Sequence, residues 1–126
     1  MSGVTDGELR ATDSPPAPFS DMVHFISLYK IKKGKTDEDL EEMIRISRSC
    51  FCRLNEVHNF RSGRSIDPES PYAFFISADF ESRDKLAMFQ DDPNYARFEE
   101  EVVKPHTNTG PEYIFETEPG RDPRYS

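Results

Sequence analysis

Any chemistry in this chain has to come from a short set of residues. Two cysteines stand in "CFC", as Cys50 and Cys52. Histidines lie at His24, His58 and His106. The segment "DDPNYARFEEEVVKPHTN" (91–108) places Tyr95 near the start of a helix. A Cys-x-Cys pair can ligate a metal or take part in redox chemistry. In a helix, however, positions i and i+2 point to nearly opposite sides, and no second pair completes a zinc site. Two unrelated helix cysteines is the simpler reading, since free Cys is commonly just buried. The histidines fall on separate elements without a His-x-x-x-His spacing. His24 reads as an interface histidine, and His106 as a side chain meeting the last carbonyls of a helix. No metal and no cofactor is expected. The acid runs "EDLEEM" and "FEEEVV" read as solvated helix faces. Arg61 and Arg64 would meet solvent, an acidic ligand or a Glu of a partner chain.

Length and charge narrow the function classes. The 126 residues suggest one domain. The net charge is -8 and the pI about 4.9, which argues against nucleic acid, because phosphate binding needs a basic face. No run of 18 apolar residues predicts a membrane span. The first residues lack a cationic start and an apolar h-region, so a cytoplasmic location is expected. Residues 1–21, rich in Pro, Ser, Thr, Asp and Gly, read as a disordered tail, and "EPGRDPRYS" (118–126) as a second. A core is expected from 22 to 117.

Within that span, "MVHFISLYKIK" (22–32) reads as a strand. Val23, Phe25, Ser27, Tyr29 and Ile31 share one face; His24, Ile26, Leu28 and Lys30 share the other. Thr36 is the expected N-cap of a helix with Leu40, Met43, Ile44, Ser47, Phe51 and Leu54 at helical spacing. "VHNFRSGRSI" (57–66) is a weaker strand, with a bulge or close backbone approach expected at Gly63. "DPESP" is a turn. "YAFFISADF" (72–80) is the strongest strand, with Tyr72, Phe74, Ile76, Ala78 and Phe80 on one face. Ser82 caps a short helix that turns Leu86 and Phe89 inward. Asp92 and Pro93 start the next helix, with Tyr95, Phe98 and Val102 inward and Pro105 helping to end it at Lys104. "PEYIFET" (111–117) is a further strand.

The order β-α-β-β-α(α)-β predicts an α+β, ferredoxin-like split βαβ with a four-stranded antiparallel sheet and helices on one side. Such helices cover one sheet face, yet strands 22–32 and 72–80 are apolar on both. His24, Ile26, Leu28 and Phe75 are therefore expected to form a dimer face, closing a homodimer by two-fold symmetry.

These segments resemble the stress-responsive A/B barrel, or dimeric α/β-barrel ("Dabb"), family. "MVHFISLYKIKKG" is similar to its first strand, and "VHNFRSGRSI", with Gly63 and Arg64, to its second. "YAFFISADFES" is similar to its third strand, and "DDPNYARFEEEVVKP" to its most recognisable helix. The resemblance covers about 22–117 and implies a dimeric barrel made of two sheets. One branch, of the olivetolic acid cyclase type, cyclises polyketides in a pocket between sheet and helices. The resemblance places that branch's general-base His at Tyr95, its partner Tyr at Phe89, and its strand histidines at Phe25 and Phe74. Aldol-type cyclisation needs a base with a pKa near working pH. Tyr, at about 10, fits that role poorly, and Phe cannot fill it.

Phe25, Tyr29, Phe74, Phe89, Tyr95 and Phe98 either fill the core or line a pocket for a flat apolar ligand, with Tyr95 the one catalytic candidate. The leading expectation is a homodimer without catalysis, or one that binds small apolar molecules. The alternative is a cofactor-independent cyclase or monooxygenase type of enzyme acting on aromatic or polyketide-like substrates.

Overall fold

The computed structural model describes residues 22–108 and 110–117; the expected tails lie outside them. Strand β1 spans Met22–Ile31 and helix α1 Asp37–Phe51. Strands β2 and β3 follow at His58–Arg64 and Phe74–Phe80, then helices α2 and α3 at Arg83–Asp91 and Pro93–Phe98. A π-helical turn, Glu99–Val103, leads into α4, Lys104–His106. Strand β4 is only Thr107–Asn108, and β5 is Glu112–Thr117. The sheet runs β2-β3-β1, with β4 and β5 both pairing along the far edge of β1. Every pairing is antiparallel. This is the ferredoxin-like split βαβ plan, with the short β4 added.

The helices start where their side chains supply missing backbone partners. Thr36 forms a full capping box with Asp39: its hydroxyl accepts from the Asp39 N–H, and the Asp39 carboxylate accepts from the Thr36 N–H at 2.8 Å. Ser82 accepts from the Lys85 N–H to begin α2. Asp92 accepts from the Asn94 N–H at 2.7 Å, with Pro93 in the first turn, where its missing N–H costs no bond.

The core lies between one sheet face and the helices. Phe25, Phe51, Phe80, Phe89 and Phe98 are 0% exposed, as are Met43, Ile76 and Val102. Phe51 sits at the centre, with its ring centroid 4.9 Å from Phe89, 5.1 Å from Phe98 and 5.8 Å from Tyr95. Ser47, also fully buried, is satisfied by donating to the Ile44 carbonyl and by a hydroxyl–hydroxyl bond with Ser62 at 2.9 Å.

Four local expectations need correction. The helix does not end at Lys104, which is helical at φ -63°, ψ -46° and bonds back five residues to the Glu99 carbonyl. That wider π turn absorbs the register that Pro105 would otherwise break. The chain leaves the helix only at Thr107, whose hydroxyl donates to the Val103 carbonyl. The bulge in β2 lies between His58 and Arg61, where Asn59 takes φ 53°, and not at Gly63. At Gly63 a Cβ would instead stand 3.1 Å from the Phe75 ring, so the approach there is by a side chain. Strand β3 begins at Phe74, because Ser70 bonds both the N–H and the carbonyl of Tyr72 and holds it in the preceding turn. Helix α1 ends at Phe51, with Cys52 as its C-cap, so Leu54 packs on the core from the following turn.

Two outcomes check this packing. Phe89→Ala is expected to cost about 3–5 kcal/mol, the range for truncating a buried aromatic, read from the midpoint of urea unfolding. His106 is held below its ordinary 6.5, first by burial and then by the charge of Lys35, against the opposing pull of Asp39 and Glu42. Its neutral form is the one the fold favours. Stability from this site is therefore complete above about pH 6.5 and declines as pH falls through the lower folded value. His106→Gln is expected to flatten that part of the pH–stability curve.

Candidate functional site

Two places carry groups that chemistry can use. The first lies at the edge of the core, where β1, α3 and β5 meet. Pro93 and the Asp92 cap orient α3 so that Tyr95 and Phe98 point inward, one turn apart. Tyr29 enters from β1. Its ring lies 5.6 Å from Phe74, its cross-strand partner, and 6.1 Å from Phe98. Tyr95 packs 5.1 Å from Phe89 and 6.2 Å from Phe98. The two tyrosines are 6% and 8% exposed.

Carboxylates lie near their hydroxyls, with Glu112 closest to bonding, at Tyr95. Burial pushes Tyr29 well above the usual tyrosine range, with Ser27 and Tyr95 pulling it down and Glu99 and Glu112 pushing it further up. Burial does the same to Tyr95, reinforced by Tyr29, Glu112 and Glu99. Burial, then the charge of Glu112, raises the half-buried Glu99 carboxyl. At neutral pH both phenols stay protonated, so they can donate hydrogen bonds but cannot serve as bases. The carboxylates are the only anionic acceptors in this group.

Glu112 reaches this place through the sheet register, which sets it opposite Ser27. That register depends on Gly110: a Cβ there would fall 1.9 Å from the Leu28 carbonyl oxygen. The bare backbone lets the Leu28 N–H donate to the Pro111 carbonyl at 2.9 Å.

The second place is the sheet face turned away from the helices. His24, Ile26 and Leu28 of β1 and Phe75 of β3 all lie there, half-buried. Tyr113 and Phe115 of β5 join them, because they stand opposite Ile26 and His24. Their rings stack at 6.2 Å and are 47% and 53% exposed. At one end of the face, His24 Nδ1 lies 2.7 Å from Asp79, whose other oxygen accepts from the Asn59 amide at 3.0 Å. At the opposite end is a hollow of about 300 Å³, walled by Ile26, Leu28, Tyr72 and Phe75.

The pocket-lining candidates Phe25, Tyr29, Phe74, Phe89, Tyr95 and Phe98 all stand in the core in mutual ring contact. The histidines do not converge: His24 faces Asp79, His58 lies 3.5 Å from Glu81, and His106 is the last residue of α4. Cys50 is buried and Cys52 exposed. Among the described residues, no group of three or more His, Cys, Asp and Glu side chains could hold a metal ion. Arg64 lies near Asp37 and Glu41 of α1, at 3.6 and 3.9 Å, whereas Arg61 stands opposite Ser77 on the open face.

Sequence reasoning missed Ser27, Glu99 and Glu112 as neighbours of the tyrosines. It treated "FEEEVV" as wholly solvated. Glu100 and Glu101 are exposed, but Glu99 lies four residues after Tyr95 and so shares its side of the helix. That spacing was the available signal.

A family model, the stress responsive A/B barrel domain (Dabb), matches residues 23–110. No curated protein sequence matches. Solved structures do. A dimeric ferredoxin-like protein of unknown function from Thermobifida fusca is 18% identical, with a TM-score of 0.69 over 77% of this chain and 92% of that one. A Dabb family protein with a ferredoxin-like fold from Mesorhizobium loti is 17% identical, with a TM-score of 0.66 over 76% and 96%. A hydroxynitrile lyase from Passiflora edulis is 14% identical, with a TM-score of 0.67 over 86% and 100%.

The raised Glu99 carboxyl has a consequence with a definite sign. The fold disfavours its charged form, so its charge is a cost above its ordinary value of 4.5 and none well below it. Glu99→Gln is expected to stabilise the protein at pH 7 by a few tenths of a kcal/mol, solvent screening included, and to have no effect near pH 3. Paired urea unfolding curves at the two pH values check this.

Proposed function

The chain belongs to the stress responsive A/B barrel domain family, and from that premise we propose that it is a homodimer whose two sheets pack face to face into a barrel. We further propose that it binds small apolar or aromatic molecules and performs no cyclase chemistry. The open sheet face carries this reading. Ile26, Leu28, Phe75, Tyr113 and Phe115 form one apolar surface on the side the helices leave bare. An apolar sheet face of this kind marks an interface, and a two-fold operator buries the same patch on both copies. The dimeric relative from Thermobifida fusca shares the fold that presents such a face.

Against cyclisation stands the absence of a base at Tyr95. Its phenol is held protonated at neutral pH, and the Phe51, Phe89 and Phe98 rings in contact with it carry no proton-transfer group.

A second reading keeps an enzyme in view and rests on the tyrosine–glutamate group. Two protonated phenols beside two carboxylates suit a reaction in which a carbonyl or hydroxyl group is held by Tyr29 and Tyr95 while Glu99 or Glu112 moves a proton. The fold shared with a hydroxynitrile lyase makes carbonyl chemistry the class to test.

Light scattering coupled to size exclusion is expected to give twice the 14.6 kDa chain mass at micromolar concentration; a single-chain mass overturns the dimer. Leu28→Asp and Phe75→Asp are expected to shift the protein to monomer with its circular dichroism retained. For the enzyme reading, Tyr95→Phe and Glu99→Gln are assayed on small carbonyl and cyanohydrin substrates. Turnover by the parent protein that drops at least tenfold in either variant would replace the non-catalytic reading.

A further inference from the structure

The hollow on the open face has a defined chemical make-up. Its floor is Ile26 and Leu28 from β1 and Phe75 from β3. Gly63 stands opposite Phe75 on the neighbouring strand and has no side chain to cover that ring. Tyr72 forms the wall, held out of the strand by the two bonds that Ser70 makes to its backbone, each 3.1 Å. The serine hydroxyls at the rim are already engaged by their own loop. Ser70 is bonded to Tyr72, and Ser65 donates to the Asp67 carbonyl and accepts from the Asp67 N–H. Little polar capacity is left inside. Arg64 borders the hollow, but its guanidinium turns toward Asp37 and Glu41 on the helix side. The cation beside the Tyr72 wall is Lys30, two residues beyond Leu28 and on the same side of β1, with its Nζ 6.0 Å from the centre of the Tyr72 ring.

An apolar floor, one aromatic wall and one ammonium at the rim match a particular ligand class. A volume of about 300 Å³ stands at the lower end of the range for small-molecule sites. We propose that this hollow binds a small aromatic acid of one or two rings, with its rings against Leu28, Tyr72 and Phe75 and its anionic group at Lys30. The proposal deepens the reading of the protein as a binder of small apolar molecules and rests on it. It places the ligand on the barrel side of the sheet and not between sheet and helices. In the face-to-face dimer a second copy would roof the hollow, excluding water from the ring and strengthening the attraction of Lys30 for the anion.

The test uses the full chain and two fluorescent probes of similar shape, 1-anilinonaphthalene-8-sulfonate and the neutral N-phenyl-1-naphthylamine. Sedimentation velocity on the same samples reports the oligomeric state. Saturable binding of one sulfonate probe per chain is expected. Lys30→Ala should weaken the sulfonate about fivefold and leave the neutral probe unchanged, as for loss of one partly exposed ionic contact. Tyr72→Ala should weaken both about tenfold, and Lys33→Ala, the cationic control, should change neither. A dimer that binds neither probe overturns the site, because the partner's side chains then fill the hollow. Binding that is indifferent to both Lys30→Ala and Tyr72→Ala overturns it too. A monomer that still binds with the expected variant pattern supports the site and overturns the dimer.

Discussion

A single sheet has two faces, and one row of helices can cover only one of them. Nearly everything distinctive here follows from that constraint. Val23, Phe25, Ser27 and Tyr29 of β1 go to the helices, and His24, Ile26 and Leu28 go to the other side. Because side chains alternate with a period of two, the division is set by the backbone and cannot be relaxed locally. An apolar residue on the second face is therefore a statement about what else must pack there. β1 is central, flanked by β3 on one side and β4 and β5 on the other, so its two-sided apolar pattern organises the whole molecule.

The covered face is held by aromatic rings more than by aliphatic side chains. Phe51 of α1 touches Phe89 of α2 together with Tyr95 and Phe98 of α3, so one ring ties three helices together. Tilted and edge-on ring contacts of this kind have preferred geometries, which makes such a core specific as well as well buried. The cost appears at its edge. Tyr29 and Tyr95 carry hydroxyls that cannot be left in an apolar interior, and Ser27, Glu99 and Glu112 gather around them. The polar group at the core edge is thus a consequence of using tyrosine there.

Strand and helix identities were largely legible beforehand, because their signals are local. The Thr36 cap, the Ser82 cap and the Asp92–Pro93 start each need only a few neighbouring residues, and all are present. What misled was also local, but it competed with longer-range contacts. Pro105 predicts a stop at Lys104, yet the π turn accommodates it. Gly63 predicts a bulge or a close backbone approach, yet Asn59 takes the left-handed conformation and Gly63 makes room for the Phe75 ring. The site was legible only in part. Tyr95 and Tyr29 were visible as inward aromatics. Glu112 was not, because nothing near it in sequence indicates that it stands across from Ser27.

By itself, the sequence determined the order of the elements and the two apolar faces of β1 and β3. Each of these is a matter of residue type and period. The tertiary structure decided which carboxylates meet the phenols, that Tyr113 and Phe115 extend the open face, and that a hollow forms beside Tyr72. Those depend on strand register and on backbone approaches such as Gly110 against Leu28. Register is a relation between residues some 85 positions apart, from Ser27 to Glu112, and no local pattern specifies it.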